Sequence, residues 1–266
     1  MTTSFIEILL NAPIRTADRF WFESGEGQVG SDSHFVQGLN GQLRMGDSLE
    51  GEGFKLSTLR CEWAPGRDGS PAVRRYLVES DADVSAGRFD LKLTCSGRSL
   101  AWVTLSDKGA AGKRVDESGP LIEKLVRERM ELSVAHGFVI PDDGGLLKGM
   151  LADLALVQGV DLILTTGGTG VGLRDVTPEA TLAIIEKRLP GFERAMTAAS
   201  LAKTPHGAIS RAVAGTLGGS LIVNLPGSPK AVRECLEPLL PTLSHTIEKL
   251  QGDPSDCAAL HADRIC

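Results

Sequence analysis

The stretch that decides the fold is "LTTGGTGVGLRDVTPEAT", residues 164–181. It completes an apolar run, "VDLILTT" (160–166), and sets glycines at 167, 168, 170 and 172 ahead of Arg174, Asp175 and a proline-started helical pattern. Taken alone, the loop has two readings: a tight glycine-rich turn, or a backbone cradle whose N–H groups hold a phosphorylated ligand. Glycine permits positive φ and lets a ligand approach without a Cβ in the way. The pattern that follows predicts a helix capped by Thr177, opened by Pro178 and Glu179, with Leu182, Ile185 and Leu189 on one face and an end before Pro190-Gly191. Two familiar phosphate loops are excluded by spacing: there is no Gly-Lys-Ser/Thr, and the last position of Gly168-x-Gly170-x-x is Leu173.

On both sides of this loop, strand-like runs alternate with helical patterns. "SLAWVTL" (99–105), "GFVI" (137–140) and 160–166 read as strands; Leu121, Ile122, Leu125 and Val126, then Leu147, Leu151 and Leu154, fall at helical spacing. Such alternation predicts an α/β fold, a mostly parallel sheet with helices on both faces. Around Gly218-Gly219, "AVAGTLGGSLIVNLP" reads as a hairpin and adds an antiparallel edge. From Pro229 to Leu250, Pro238 and Pro241 divide an amphipathic stretch into two helical pieces. The tail from Gly252 holds little core-forming material.

Upstream the rhythm differs. Short alternating pieces such as "GQLRMGDSLEGEGFKLSTLRCEW" and "VRRYLVESD", punctuated by "APGRDGSP", predict a smaller, irregular β-rich domain over 1–97, followed by the α/β domain over 98–266. The formal charge of −6 over 266 residues argues against nucleic-acid binding, so an anionic ligand needs a local site. Five scattered cysteines without Cys-x-x-Cys spacing read as reduced thiols of a cytoplasmic protein, and Cys235 as a core residue. His34, His136, His206, His245 and His261 show no metal spacing. The N-terminus lacks a leader pattern, and no segment approaches the roughly 20 apolar residues of a membrane span.

Every strand-to-helix junction carries small, polar or acidic residues. After 99–105 comes the polar loop "SDKGAAGKRVDESG" with Ser106, Asp107, Gly112, Asp116 and Ser118; after "GFVI" come Asp142 and Asp143; after "LIVNLP" come Gly227 and Ser228 ahead of Pro229. Together "TLSDKGAAGKRVDESG", "IPDD", "TTGGTGVGLRDVTPEAT", "PGFERAM", "SRAVAG" and "NLPGSPKAVRECL" resemble the molybdopterin adenylyltransferase family, of Mog/MoaB type and like the G domain of gephyrin, over residues 98 to 250. The resemblance implies a molybdopterin-binding fold, a homotrimer or hexamer, and transfer of AMP from Mg-ATP to molybdopterin. Carried over, Asp142 and Asp175 become the catalytic acids and holders of Mg²⁺. Ser106, Asp107, Gly112, Asp116, Ser118, Gly167, Gly168, Thr169, Gly170, Arg174, Pro178, Glu179, Pro226, Gly227 and Ser228 fall in the pterin and nucleotide pocket. The related molybdenum insertase, which would receive the product, usually has Gly-Gly-Val-Ser where this chain has Thr169 and Gly170 after Gly167-Gly168. A non-enzymatic scaffold that binds molybdopterin and delivers it to a partner is the alternative.

Overall fold

Alternation with period two in "FKLSTLRCEW" and "VRRYLVES" puts one set of side chains inward and the other outward. The computed structural model, which describes residues 5–25, 34–37, 43–66 and 71–252, builds the first part of the chain from β1 (Phe5–Leu10), β2 (Arg19–Ser24), β3 (His34–Gln37), β4 (Ser48–Gly51), β5 (Phe54–Ala64), β6 (Val73–Ser80) and β7 (Gly87–Thr94). They close into a barrel in the order β1-β3-β2-β6-β5-β4-β7. The irregularity suggested by the sequence appears among the described residues as a register shift in β5 between Thr58 and Arg60. Ile6, Ile8, Phe22, Leu56, Tyr76, Val78 and Leu91 fill the interior.

The chain divides into two units, and the barrel unit also takes in Met130–His136 and Ala152–Val160. The second of these segments repairs a gap in the barrel. β4 pairs with β5 only through Ser57, so the next stretch of β5 needs other partners on that side. The Gly46 N–H donates to Thr58 O and the Thr58 N–H to Asp47 O. Beyond them, the Cys61 N–H donates to Gln158 Oε1 (2.8 Å) and Gln158 Nε2 donates to Cys61 O (2.6 Å). A primary amide carries one acceptor and two donors in a plane, so Gln158 reproduces the pairing of a missing strand residue. The Gln158 carbonyl in turn accepts from the Met45 N–H.

In the α/β part, β8 (Arg98–Leu105), β9 (Leu132–Ile140), β10 (Leu162–Thr166), β11 (Lys187–Arg188), β12 (Ala214–Leu217) and β13 (Ser220–Leu225) form a sheet in the order β11-β12-β13-β10-β8-β9. β10 and β13 run parallel, from Leu162 opposite Leu221 to Thr166 opposite Leu225. β12 and β13 are joined by the two-residue turn at Gly218-Gly219, giving the antiparallel edge. The helices are α1 (Asp107–Ala110), α2 (Ser118–Arg127), α3 (Gly144–Ala152), α4 (Thr177–Leu182), α5 (Pro190–Leu201), α6 (Pro229–Leu236) and α7 (Leu240–Leu250). Pro241 sits in the first turn of α7, where its missing N–H costs nothing. Among the described residues no helix is long and apolar enough to cross a membrane.

Several sequence expectations need correction. The helix expected over 177–189 stops at Leu182, because the chain is drawn off to the sheet: the Glu186 N–H donates to Thr216 O and the Leu189 N–H to Ala214 O. Ile185 and Leu189 are therefore not on its face. Thr177 is not its cap but its first residue, and its hydroxyl turns back to donate to Gly167 O (2.8 Å). The strand seen as "GFVI" begins at Leu132, and the polar loop after β8 contains the single turn α1. Asp253 onward lies outside the described residues, with Cys257, His261 and Cys266, as does 67–70 within "APGRDGSP".

Gln158→Leu preserves the side-chain bulk but leaves the Cys61 N–H and C=O buried and unpaired. Equilibrium urea unfolding should show a loss of about 3 kcal/mol, since each orphaned backbone group costs on the order of 1–3 kcal/mol.

Candidate functional site

Three chain crossings meet where β8, β10 and β13 end, and they leave a cleft of about 290 Å³. The crossings approach so closely that side chains are excluded between them. Gly167 has φ +97° and a Cβ there would lie 2.5 Å from Leu105 O; Gly168 has φ +64° and its Cβ would lie 2.5 Å from Thr177 Oγ1. Gly227 comes within 3.3 Å of Gly167 Cα by the same measure. The expected positive φ at Gly170 and Gly172 is not found; a Cβ at either position would instead strike Asp175 Oδ2, at 2.8 and 2.9 Å.

The expected cradle of N–H groups is partly spent inside the protein. The Gly167 N–H donates to Leu225 O, and the Gly172 N–H donates to Asp175 Oδ2 (2.7 Å). Asp175 thus closes its own turn. Arg211 completes the fastening: its Nε donates to Gly170 O (2.7 Å), its Nη2 to Asp175 O (2.9 Å) and its Nη1 to the Glu179 carboxylate. Its backbone N–H also donates to Thr169 O. The guanidinium holds the Glu179 carboxyl below the usual carboxylate range. Arg211 lies in "SRAVAG", so the motif was visible but the role of its arginine was not: nothing in the spacing links residue 211 to residues 169–179.

The walls are held by hydroxyls and one carboxylate. Asp116 Oδ2 accepts from Thr104 Oγ1 (2.7 Å), and Asp116 Oδ1 accepts from the Ser118 and Gly119 N–H groups (both 3.1 Å), which caps α2. Ser118 Oγ donates to Gly227 O (2.9 Å) and Thr166 Oγ1 to Pro226 O (2.6 Å). Ser106 Oγ accepts from the Gly109 N–H and Ser228 Oγ from the Ala231 N–H, capping α1 and α6. Trp102 packs over Gly119 and Gly137, where any Cβ would enter its ring.

Beside the cleft, one residue past Ser106, lies an acidic cluster. The Asp107 N–H donates to Asp142 Oδ2 (3.1 Å) and the Asp142 N–H donates to Asp107 Oδ1 (3.0 Å), a reciprocal brace. Arg174 Nη2 donates to both Asp107 oxygens (2.7 and 2.8 Å) and holds the Asp107 carboxyl below the usual range. Asp143 accepts from the Leu146 N–H at the start of α3.

Of the residues expected in the pocket, Ser106, Asp116, Ser118, Gly167, Gly168, Gly227 and Ser228 line the cleft. Asp107, Asp142 and Arg174 form the adjoining cluster. Thr169, Gly170, Asp175 and Glu179 serve the loop and its Arg211 clamp. Pro178 is buried in α4, Pro226 supplies a carbonyl to Thr166, and Gly112 is exposed at φ +69°. Arg114, Val115, Glu117 and Val139 also line the cleft, and the sequence did not single them out. Cys235 is core, its thiol pushed up to about 11 by burial.

Among the described residues no group of three or more His, Cys, Asp or Glu is arranged to hold a metal ion. Asp142 and Asp175 each commit one carboxylate oxygen to a backbone N–H and keep the other. A single free carboxylate oxygen of this kind is a donor that Mg²⁺ takes together with substrate phosphates and water, rather than part of a cage made by the protein alone.

Residues 101–245 match the family model described as "Probable molybdopterin binding domain". The chain is 38% identical over 152 residues to molybdopterin adenylyltransferase of Helicobacter pylori, covering 57% of this chain and 86% of that protein. The corresponding enzyme of Haemophilus influenzae is 40% identical over 139 residues, covering 52% and 71%. Among solved structures, the molybdopterin biosynthesis enzyme MoaB of Thermus thermophilus superposes with a TM-score of 0.54 at 42% identity, over 60% of this chain and 99% of that one. The molybdopterin biosynthesis protein Mog of Mycobacterium ulcerans gives 0.55 at 37%, over 59% and 99%. The match runs unbroken from within β8 into α7, through every loop that builds the cleft, and on that ground the chain belongs to the molybdopterin-binding domain family of molybdenum cofactor biosynthesis.

Proposed function

We propose that this chain transfers AMP from Mg-ATP to the phosphate of molybdopterin, giving adenylyl-molybdopterin and pyrophosphate. The observation that carries the proposal is the braced pair Asp107 and Asp142 with Arg174, set one residue beyond the cleft wall. Its carboxylates and its guanidinium are the two kinds of group that a metal-bearing triphosphate requires. The relatives named molybdopterin adenylyltransferase support the same reading.

The chemistry balances without a protein base. An oxygen of the molybdopterin phosphate, largely dianionic near neutral pH, attacks the α-phosphorus of ATP; the bond to the β-phosphate oxygen breaks and its electron pair leaves with pyrophosphate. Mg²⁺, held by the uncommitted oxygens of Asp142 and Asp175, would supply neutralisation of the triphosphate. Asp107 positions the Asp142 backbone through the reciprocal brace, and Arg174 offers donors to the leaving phosphates while keeping the acids from repelling each other. Arg211 fixes the loop that presents Asp175. The homologous assembly proposed is a homotrimer, from which adenylyl-molybdopterin passes to a molybdenum insertase. A scaffold that only binds the pterin would lack the transfer step, and the acids at the cleft favour catalysis over it.

Asp175→Asn retains an acceptor for the Gly172 N–H and so keeps the loop, but removes a charged oxygen. Molybdopterin affinity should stay near normal while pyrophosphate release falls by about 100-fold or more; near-normal turnover would remove Asp175 from the mechanism, and lost binding would make its role structural. Light scattering at micromolar concentration should return three times the 28.2 kDa chain mass, and a monomer would contradict the proposed assembly.

A further inference from the structure

We propose that Arg114 is the residue by which this cleft grips a phosphate group and separates a phosphorylated heterocyclic ligand from its dephosphorylated form. The inference rests on the cleft described above and extends the proposed function to a residue outside the family motifs' expected site set.

Several polar groups of the cleft walls are already occupied in holding the frame, while the Ser106 and Ser228 hydroxyls, which accept from Gly109 and Ala231, keep their protons. Thr104, Thr166 and Ser118 spend their hydroxyl protons on Asp116, Pro226 O and Gly227 O. Asp116 is taken by three donors. Among the charged residues lining the cleft, Arg114 and Glu117 alone make no hydrogen bond or ion pair to described residues, and Arg114 is the cation of that lining. The two neighbouring arginines are not part of that lining: Arg174 pairs with Asp107 in the adjoining acidic cluster, and Arg211 with Glu179 at the loop.

The cleft otherwise presents two carboxylates, in a chain of net charge −6. Without a cation, the charged groups that a phosphate meets in the cleft would all repel it. A guanidinium answers this with a planar fork of donors that matches phosphate oxygens two at a time. Its setting also suits a ligand with an apolar, flat part: Val115, 81% exposed, and Val139, 40% exposed, line the cleft with it. Arg114 is carried just past Gly112, whose φ of +69° and empty surroundings leave the segment room to adjust. The ligand chemistry is thus a heterocycle bearing phosphate, which molybdopterin and ATP both supply.

The test is isothermal titration of the full chain and its R114Q and E117Q variants. The ligands are molybdopterin, dephosphorylated molybdopterin, ATP, adenosine and inorganic pyrophosphate, at two salt concentrations. R114Q should weaken molybdopterin or ATP about tenfold at low salt and less at high salt, the loss expected for one charge-assisted hydrogen-bond pair. Whichever loses affinity identifies the phosphate recognised. The dephosphorylated counterpart should bind R114Q as it binds wild type, and E117Q should bind the phosphate as well or better. Unchanged unfolding midpoints are expected, since Arg114 holds nothing in place. Equal binding of every ligand by R114Q and wild type overturns the proposal, as does equal loss for the phosphorylated and dephosphorylated forms. Wild type that ignores molybdopterin but loses pyrophosphate affinity through R114Q would sink the adenylyltransfer reading and leave Arg114 standing. Wild type that binds none of the five overturns the assignment of Arg114.

Discussion

Three backbones pressed together with no space for a side chain set the terms for the rest of the α/β unit. Where Gly167 passes Leu105 O, a methyl group would demand movement of main chain; where Gly168 passes Thr177, it would displace the hydroxyl that holds Gly167 O. The strand ends must therefore arrive at fixed separations, and the cleft exists because they do. Left-handed φ at both residues compounds the restriction, since a side chain there would be strained even in open space.

Such closeness would be costly if the polar groups beneath were left unpaired, and here they are satisfied by short hydroxyl side chains. Asn224, fully buried in β13, donates to the hydroxyls of Thr165 and Thr181 (both 2.9 Å) and accepts from the Val213 N–H (3.3 Å). Thr177 and Thr166 close onto carbonyls of the adjoining crossings. A network in which every member is satisfied rigidifies its surroundings, because breaking one bond strands several partners in a medium of low polarity. The glycines provide nearness and the threonines make nearness stable. Division of labour follows: hydroxyl protons spent on the frame are not available to a ligand, which leaves recognition to the uncommitted atoms of side chains around it.

The alternation of strand and helix, the glycine hairpin at residues 218–219 and the family resemblance were legible because each rests on local pattern. What escaped were relations between distant residues. Arg211 has no local feature that marks it as the clamp of residues 170–179, and Gln158 reads as an ordinary helix-end amide until its pairing with Cys61, 97 residues away, is seen. Overreach had a physical cause too. Leu182, Ile185 and Leu189 keep helical spacing, yet pairing to β12 outcompetes the helix after one and a half turns. Glycine content alone could not separate positions requiring unusual φ from positions requiring only absence of a Cβ, as at Gly170 and Gly172. Asp175 shows the same limit: its place in the motif said that it mattered, and only geometry showed that one of its oxygens ties off the turn.

The indole packed on Gly119 and Gly137 carries a practical consequence. Trp21 and Trp63 belong to barrel strands, so Trp102 is the sole tryptophan of the α/β sheet, and its ring lies against the segment that Asp116 caps. A carboxylate and a helix start beside an indole make its excited state responsive to local charge. A charged ligand beside Asp116 would therefore register in the intrinsic emission of the chain, and replacing the two barrel tryptophans by phenylalanine would isolate that signal without attaching a dye.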